Sequence, residues 1–273
     1  MRPTEGDQIK LLDHGYVRFI EAWGGDERII EAARMSTGKG FLGWGPMCGK
    51  CRSKNHSPAT DLSDHPGVIR CNDCGAVGSD DAGDEKLLRY LRDNRHDTPF
   101  EFAGMVLEVQ APIMVFREWH RHRTQSYNEM SARYTPLPDS NYVPTPARCM
   151  LQVQGHTQNK QATKAAGAAD LTHDAVLDWL EALEGVYTHA EAVYQHGLRV
   201  GIPKELARLP VPVGRYSRMR VHTCLRNWLA FMTLRSEKNL NAQWEIRQYA
   251  NAVGGFLSQS FPRTWELFAR GGS

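Results

Sequence analysis

Two Cys-x-x-Cys pairs, Cys48-Gly-Lys-Cys51 and Cys71-Asn-Asp-Cys74, interrupt the chain with nineteen residues between them. Each pair turns two thiolates toward one point, so the four sulfurs suit a single tetrahedral ion at the spacing of a zinc ribbon. Gly49 and Gly75 ease the tight knuckle turns. A site with four protein ligands is closed, which makes this structural zinc a matter of scaffold or partner binding rather than catalysis. From Gly38 to Gly83 a run rich in Gly, Pro, Ser, Asp and Cys replaces apolar periodicity, which marks residues 38–83 as a loop-rich module inserted into one domain spanning 1–273. His56 and His65 fall on its surface. Gly38-Lys-Gly-Phe-Leu-Gly43 spells G-x-G-x-x-G, but that fingerprint works between a strand and a helix, and here it follows a helix and runs into Trp44 and Pro46. It reads as linker into the ribbon.

Outside the insert the chain has the composition of a globular domain: 273 residues, 41% hydrophobic and 23% charged. The net charge of +2 puts no general attraction to DNA or membrane on the chain, so any anion site is local. The polar segment Met1 to Tyr16 and the absence of an apolar run of about 18 residues predict no signal peptide, no membrane association and a cytoplasmic protein. Periodicity predicts a strand at Val17 to Ala22 and a helix at Glu27 to Met35. A second helix follows at Glu85 to Asn94, and Pro99 turns the chain after it. A strand is predicted at Met105 to Val109, then a helix opened by Pro112 that carries Ile113, Phe116 and Trp119 toward Arg121. A long amphipathic helix is predicted at Thr172 to Leu198, with further helices at Thr223 to Leu234 and Ala242 to Ser260.

The chemistry concentrates between Arg117 and Tyr134, REWHRHRTQSYNEMSARY. Four arginines, two histidines, serines, Asn128 and Glu129 stand together, where a solvated helix face would intersperse Lys and Glu. Guanidinium, imidazole and hydroxyl groups are the donors that hold phosphate and heterocycle oxygens. On composition alone a nucleotide site and a basic surface turn both remain open.

Arg121-His122-Arg123, seven residues, then Ser131 resembles the signature of the flavin-dependent thymidylate synthases. So do His96-Asp97-Thr98-Pro99-Phe100-Glu101, Ala111-Pro112-Ile113 and Ala242-Gln243-Trp244-Glu245-Ile246, in the same order along the chain. The resemblance implies an α/β (α+β) subunit with a central, mostly antiparallel sheet and surrounding helices, the zinc-ribbon-like insert added, assembled as a homotetramer with shared active sites. It implies FAD bound by Thr98, Arg121, His122, Arg123, Glu129 and Arg226. Ser131, Arg133 and Arg208, with Glu118 and Arg121, would bind a uridine nucleotide, dUMP or UMP. Arg235 would face the pyrimidine and His96 the flavin as the catalytic pair. The reaction implied is reductive methylation of C5, with carbon from methylenetetrahydrofolate and hydride from flavin that NADPH recharges. Such chemistry belongs to the cofactor and needs no protein nucleophile. Cys149 is expected in a loop after the signature and Cys224 in the helix lining the flavin.

Several positions depart from the family pattern: Glu118 for a Gln, Phe102 for a His, Cys224 for an Asn, Ala230 for a polar residue, and Asn241 for a His after a longer loop. Two rival readings remain beside dUMP methylation. One is C5 methylation of UMP, separated by a single hydroxyl that a pocket rejects only weakly. The other is a nucleic-acid-binding module, against which the near-neutral charge argues.

Overall fold

The computed structural model describes residues 2–45, 47–48, 50–51, 53–59, 68–79, 83–151 and 171–271. Along the chain run strands β1 (Gln8–Leu11) and β2 (Gly15–Trp23), helix α1 (Asp26–Arg34), and strands β3 (His56–Pro58), β4 (Val68–Cys71) and β5 (Val77–Ser79). Helix α2 (Asp84–Asp93), a short 3-10 turn (Thr98–Phe102), β6 (Gly104–Pro112), α3 (Ile113–Trp119), β7 (Ser126–Glu129) and α4 (Pro146–Met150) follow. The remainder is α5 (His173–Arg199), α6 (Lys204–Ala207), β8 (Tyr216–Cys224), α7 (Leu225–Arg235), α8 (Trp244–Ser260) and α9 (Pro262–Arg270). The mixed α/β class is as expected. Contacts divide the chain into two units: one holds Met1–Glu21, Met105–Thr223 and Asn227–Phe256, the other Ala22–Gly104, Cys224–Arg226 and Leu257–Ser273.

The first unit is built on a five-stranded sheet in the order β1-β2-β6-β8-β7. β1 pairs antiparallel with β2, and β7 with β8 in a register that sets Ser126 opposite His222 and Asn128 opposite Arg220. From Ser217 on β8 alternates: Ser217, Met219, Val221 and Thr223 are buried while Arg218, Arg220 and His222 are exposed, the period-2 signature of a strand with one wet face. On that face Glu108 ties three strands together. Its carboxylate accepts from Tyr16 at 2.8 Å, Arg18 at 2.9 Å and Arg220 at 3.1 Å. Burial raises the Glu108 carboxyl, but these donors and charges outweigh it and hold it below the usual range. Gly15 has no alternative, because a Cβ there would lie 2.0 Å from the Tyr249 hydroxyl, which donates to the Gln110 carbonyl at 2.9 Å. Arg215 is fully buried and pairs with Glu191 of α5 at 2.6 Å, which ties the start of β8 to the longest helix.

The second unit packs α1, α2 and α9 with the 3-10 turn. Buried Asp26 accepts from the Arg263 and Thr264 amides at 2.9 and 3.1 Å and from the Thr264 hydroxyl at 2.6 Å, capping α9. Asp84, also buried, opens α2 and accepts from the Leu42 and Gly43 amides at 2.7 and 2.9 Å, besides pairing with Arg34. Glu85 receives the Gly45 amide at 2.9 Å. The start of α2 thus holds the chain at residues 42–45, so the two ends of the loop-rich stretch lie side by side. The G-x-G-x-x-G run is irregular chain held by that clamp, and among the described residues no helix follows it before α2. Inside the insert β3-β4-β5 form a separate antiparallel sheet. His56 is half-buried in β3 rather than a surface loop residue, since pairing with Cys71 draws it into the ribbon. Gly49 and His65 lie outside the described residues. No helix among the described residues is long and apolar enough to cross a membrane.

Candidate functional site

In the first unit the signature is shaped by one buried ring. Trp119, the last residue of α3, is fully buried and stacks on Phe231 of α7 with centroids 4.6 Å apart, while its indole donates to Gln125 at 3.0 Å. The Tyr127 hydroxyl lies 2.8 Å from the His122 carbonyl and 3.1 Å from that of Trp119. The chain therefore wraps around these rings, so that Arg121 and Arg123 are exposed while His122 between them turns inward. The His122 ring meets Phe231 edge-on at 4.9 Å. Its Nε2 accepts from Arg235 Nε at 3.1 Å. Burial first, and then the Arg235 charge, lower the His122 pKa to about 4, so the ring is a neutral acceptor at pH 7.

Arg235 ends α7, one turn beyond Phe231. Besides His122 it reaches Glu118, by Nη1 to the carboxylate at 2.7 Å and by Nη2 to the backbone carbonyl at 3.3 Å. Ser131 and Arg133 fall after β7: the Ser131 hydroxyl accepts from the Arg133 amide at 3.3 Å, and the Arg133 guanidinium pairs with Glu205 at 3.3 Å. Glu205 belongs to α6, the helix that Arg208 closes, so Arg133 and Arg208 are tied to one short element. Arg121, Arg123 and Arg208 are exposed and carry no ion pair among the described residues. Uncommitted guanidiniums of this kind suit the phosphates of a nucleotide or dinucleotide. Glu129 closes β7, exposed.

In the second unit Arg226 organises the corner after α2. Its Nη1 donates to Glu101 at 2.6 Å and its Nε lies 3.7 Å from Asp97. Arg95, at φ 54, closes the helix, and His96 and Thr98 are exposed beside it, the His96 ring edge-on to Tyr90 at 5.5 Å. The structure thus brings together Glu118, His122 and Arg235; Ser131, Arg133 and the Arg208 helix; and His96, Thr98 and Arg226. Sequence reasoning named these residues without seeing their partners Glu205 and Tyr127, and it missed that Asp97 and Glu101 of the turn hold Arg226. Both acids stand in the quoted motif, and their opposite charge to Arg226 was the available signal. Two cysteine placements are corrected. Cys149 lies in α4, where the Thr145 side chain caps a helical turn, and Cys224 is the last residue of β8, because the strand alternation continues through Thr223 before α7 begins.

The four insert cysteines converge: all their Sγ atoms lie within 4.8 Å of one another, with Cys48–Cys74 at 3.3 Å and Cys51–Cys71 at 3.5 Å. A tetrahedron of sulfurs about 2.3 Å from zinc has edges of roughly 3.8 Å, so the donor set fits the ion. The Cys51 and Lys50 amides each point at Cys48 Sγ from 3.4 Å and hold that thiol down at about 6, the polarity a thiolate ligand needs.

Residues 18–263 match the family described as Thymidylate synthase complementing protein. The flavin-dependent thymidylate synthase of Thermosipho africanus is 30% identical over 263 residues, covering 96% of this chain and 94% of its own. That of Thermus thermophilus is 32% identical over 260 residues, covering 95% and 77%. Among solved structures, the UMP/dUMP methylase PolB from Streptomyces cacaoi bound with 5-Br dUMP superposes with a TM-score of 0.69 at 26% identity, over 97% of this chain and 98% of that one. The chain belongs to the flavin-dependent thymidylate synthase family.

A depressed histidine makes stability depend on pH. Above the unfolded value near 6.5 the His122 contribution is complete; it is lost as pH falls toward about 4. His122→Gln should therefore lose less stability than the parent between pH 6.5 and 4 in urea unfolding. In NMR the His122 ring should titrate near 4; a midpoint near 6.5 would contradict the buried contact with Arg235.

Proposed function

We propose that this protein methylates C5 of a uridine nucleotide reductively, converting dUMP to dTMP and accepting UMP as well. The observation that carries the reading is Arg235, held by Glu118 and His122 at the end of α7 with donors to spare, in a chain that matches the family almost end to end. When bound, reduced FAD supplies the hydride and methylenetetrahydrofolate the carbon. The C5 proton is lost, the methylene becomes a methyl group, and the folate leaves as tetrahydrofolate because it gives up no electrons.

The chain's own residues bind and orient. Thr98, Arg121, His122, Arg123, Glu129 and Arg226 would hold FAD, with His96 beside it. Ser131, Arg133, Arg208 and Arg121 would take the nucleotide, Ser131 and Arg133 serving the phosphate end from a neighbouring subunit of a homotetramer. Arg235, set against N3 and O2 of the uracil with Glu118 behind it, stabilises negative charge drawn toward that edge and so makes C5 more nucleophilic. NADPH as the recharging reductant follows the same resemblance. A cysteine route is disfavoured, because burial pushes the Cys149 thiol up and away from the reactive thiolate. Acceptance of UMP is supported by the PolB relative, named for both substrates, and by the weak discrimination a pocket achieves against one added hydroxyl.

Tritium release from C5-labelled dUMP and UMP tests this. Cys149→Ala and Cys224→Ala should turn over, whereas Arg235→Ala should lose about 10²–10³ in rate with FAD retained. Full activity in Arg235→Ala, or none in a flavin-replete cysteine variant, would overturn the assignment.

We also propose a zinc-ribbon-like module at residues 38–83 with one structural zinc on Cys48, Cys51, Cys71 and Cys74, on the strength of their convergence. Metal analysis of gently purified protein should find one zinc per chain; protein free of metal yet fully folded in the insert would refute it.

A further inference from the structure

The neck of the insert is held by two neighbouring carboxylates of the second unit. Asp84, fully buried at the start of α2, accepts from the Leu42 and Gly43 amides at 2.7 and 2.9 Å and, through its other oxygen, from Arg34 Nε of α1 at 2.9 Å. Glu85 accepts from the Gly45 amide at 2.9 Å and from Arg263 of α9 at 2.5 Å, and the Arg263 guanidinium lies over the Trp44 ring at 4.4 Å. The Trp44 indole donates to Glu27 of α1 at 2.8 Å. Residues 42–45 are thus pinned to three helices, and the first of the four converging thiols, Cys48, follows Gly45 by three residues. Where the insert returns, a Cβ on Gly83 would lie 3.1 Å from the Gly45 carbonyl, so the two arms of the neck touch. Beyond the neck there is little core: among the insert's described residues there, only Met47, Cys48, Ala59 and Cys71 are buried apolar ones. A module so small usually leans on a metal to fold.

We propose that the thiolate cluster and α2 form one metal-linked device: zinc on the four cysteines orders the neck, and the neck, through Asp84 and Glu85, fixes α2 and the His96 corner at its far end. This rests on the zinc reading above. The coupling runs through hydrogen bonds to charge. When the neck withdraws, Asp84 loses two amide donors and is left buried with Arg34 alone, and Glu85 loses the Gly45 amide; charged groups stripped of their donors away from water are the costly ones. α2 is a single helix of ten residues, and its last turn carries the corner, because the His96 amide donates to the Leu91 carbonyl at 2.8 Å and the Asn94 amide to that of Tyr90 at 3.0 Å. Loosened at its start, α2 holds His96 and Thr98 less firmly. Linkage makes the effect reciprocal: the factor by which zinc favours the closed neck is the factor by which a closed neck favours zinc.

The test is hydrogen exchange read by mass spectrometry on the full chain, with zinc bound and after chelation under reducing conditions. Chelation should speed exchange in residues 84–102 about tenfold, within the range of about 5–150-fold usual for coupled sites, while β6 in the other unit stays unchanged. Asp84→Asn keeps the shape and removes the charge that Arg34 and the two amides meet. It should speed exchange in residues 84–102 with zinc still bound, remove most of the further response to chelation, and weaken zinc about tenfold in competition with a colorimetric chelator. Glu85→Gln supplies the same comparison should Asp84→Asn not fold. Chelation that frees the insert and leaves residues 84–102 unchanged would overturn the proposal. So would an equal rise throughout both units, which marks general destabilisation. If the parent holds no zinc and takes none up, the zinc site itself fails and this inference falls with it, a result distinct from zinc that binds without reaching α2.

Discussion

The signature segment, α3 and α7 depend on the burial of Trp119. Its ring stacks on Phe231 and meets Trp228 and Tyr249 edge-on at 6.5 Å, while Trp228 donates its indole N–H to the Met105 carbonyl at 3.1 Å. Truncating a buried ring of this size typically costs about 3–5 kcal/mol. More than stability is at stake, because the same contacts set the register between α3 and α7. Phe231 and Arg235 are four residues apart on one helix and so share a face, and His122 follows Trp119 by less than a turn of chain. Packing one pair of rings therefore delivers the His122 imidazole to the Arg235 guanidinium.

That delivery explains how a chain of almost no net charge can contain so concentrated an arginine site. Several guanidiniums are matched by acids from the same unit: the sheltered Arg235 by Glu118, the buried Arg215 by Glu191, and the half-buried Arg18 and exposed Arg220 by Glu108. Exposed ones such as Arg121 and Arg123 carry no ion pair among the described residues, and exposure makes an unpaired charge inexpensive.

The sequence made much of this legible wherever a period was clean. The long helix around Val176 and Leu180 and the strand around Met105 and Leu107 were expected within a residue or a few of where they lie, because the helix buries one stripe and the strand is an apolar run bounded by Gly104 and Pro112. β8 was not foreseen, although Met219 and Val221 alternate with Arg218 and Arg220; an arginine-rich strand looks like surface until Glu108 on its neighbour is known to answer those charges. β7 was hidden for a related reason, since Ser126 to Glu129 is polar on both faces and is a strand only through pairing with β8. The cysteine convergence was readable from spacing alone. The hold on Arg235 was not, because Glu118 and His122 are more than a hundred residues away and no local pattern connects them.

Among the described residues the signature segment offers a guanidinium clamped by Glu118 and His122 beside exposed arginines without ion pairs, an arrangement suited to orienting a ligand. The account's central claim is that the electrons reducing the new methyl group come from flavin and not from folate. Analysis of the folate released in a single turnover tests it most directly. The account predicts tetrahydrofolate in amounts equal to methylated nucleotide and to flavin oxidised. Stoichiometric dihydrofolate, with the flavin still reduced, would contradict it.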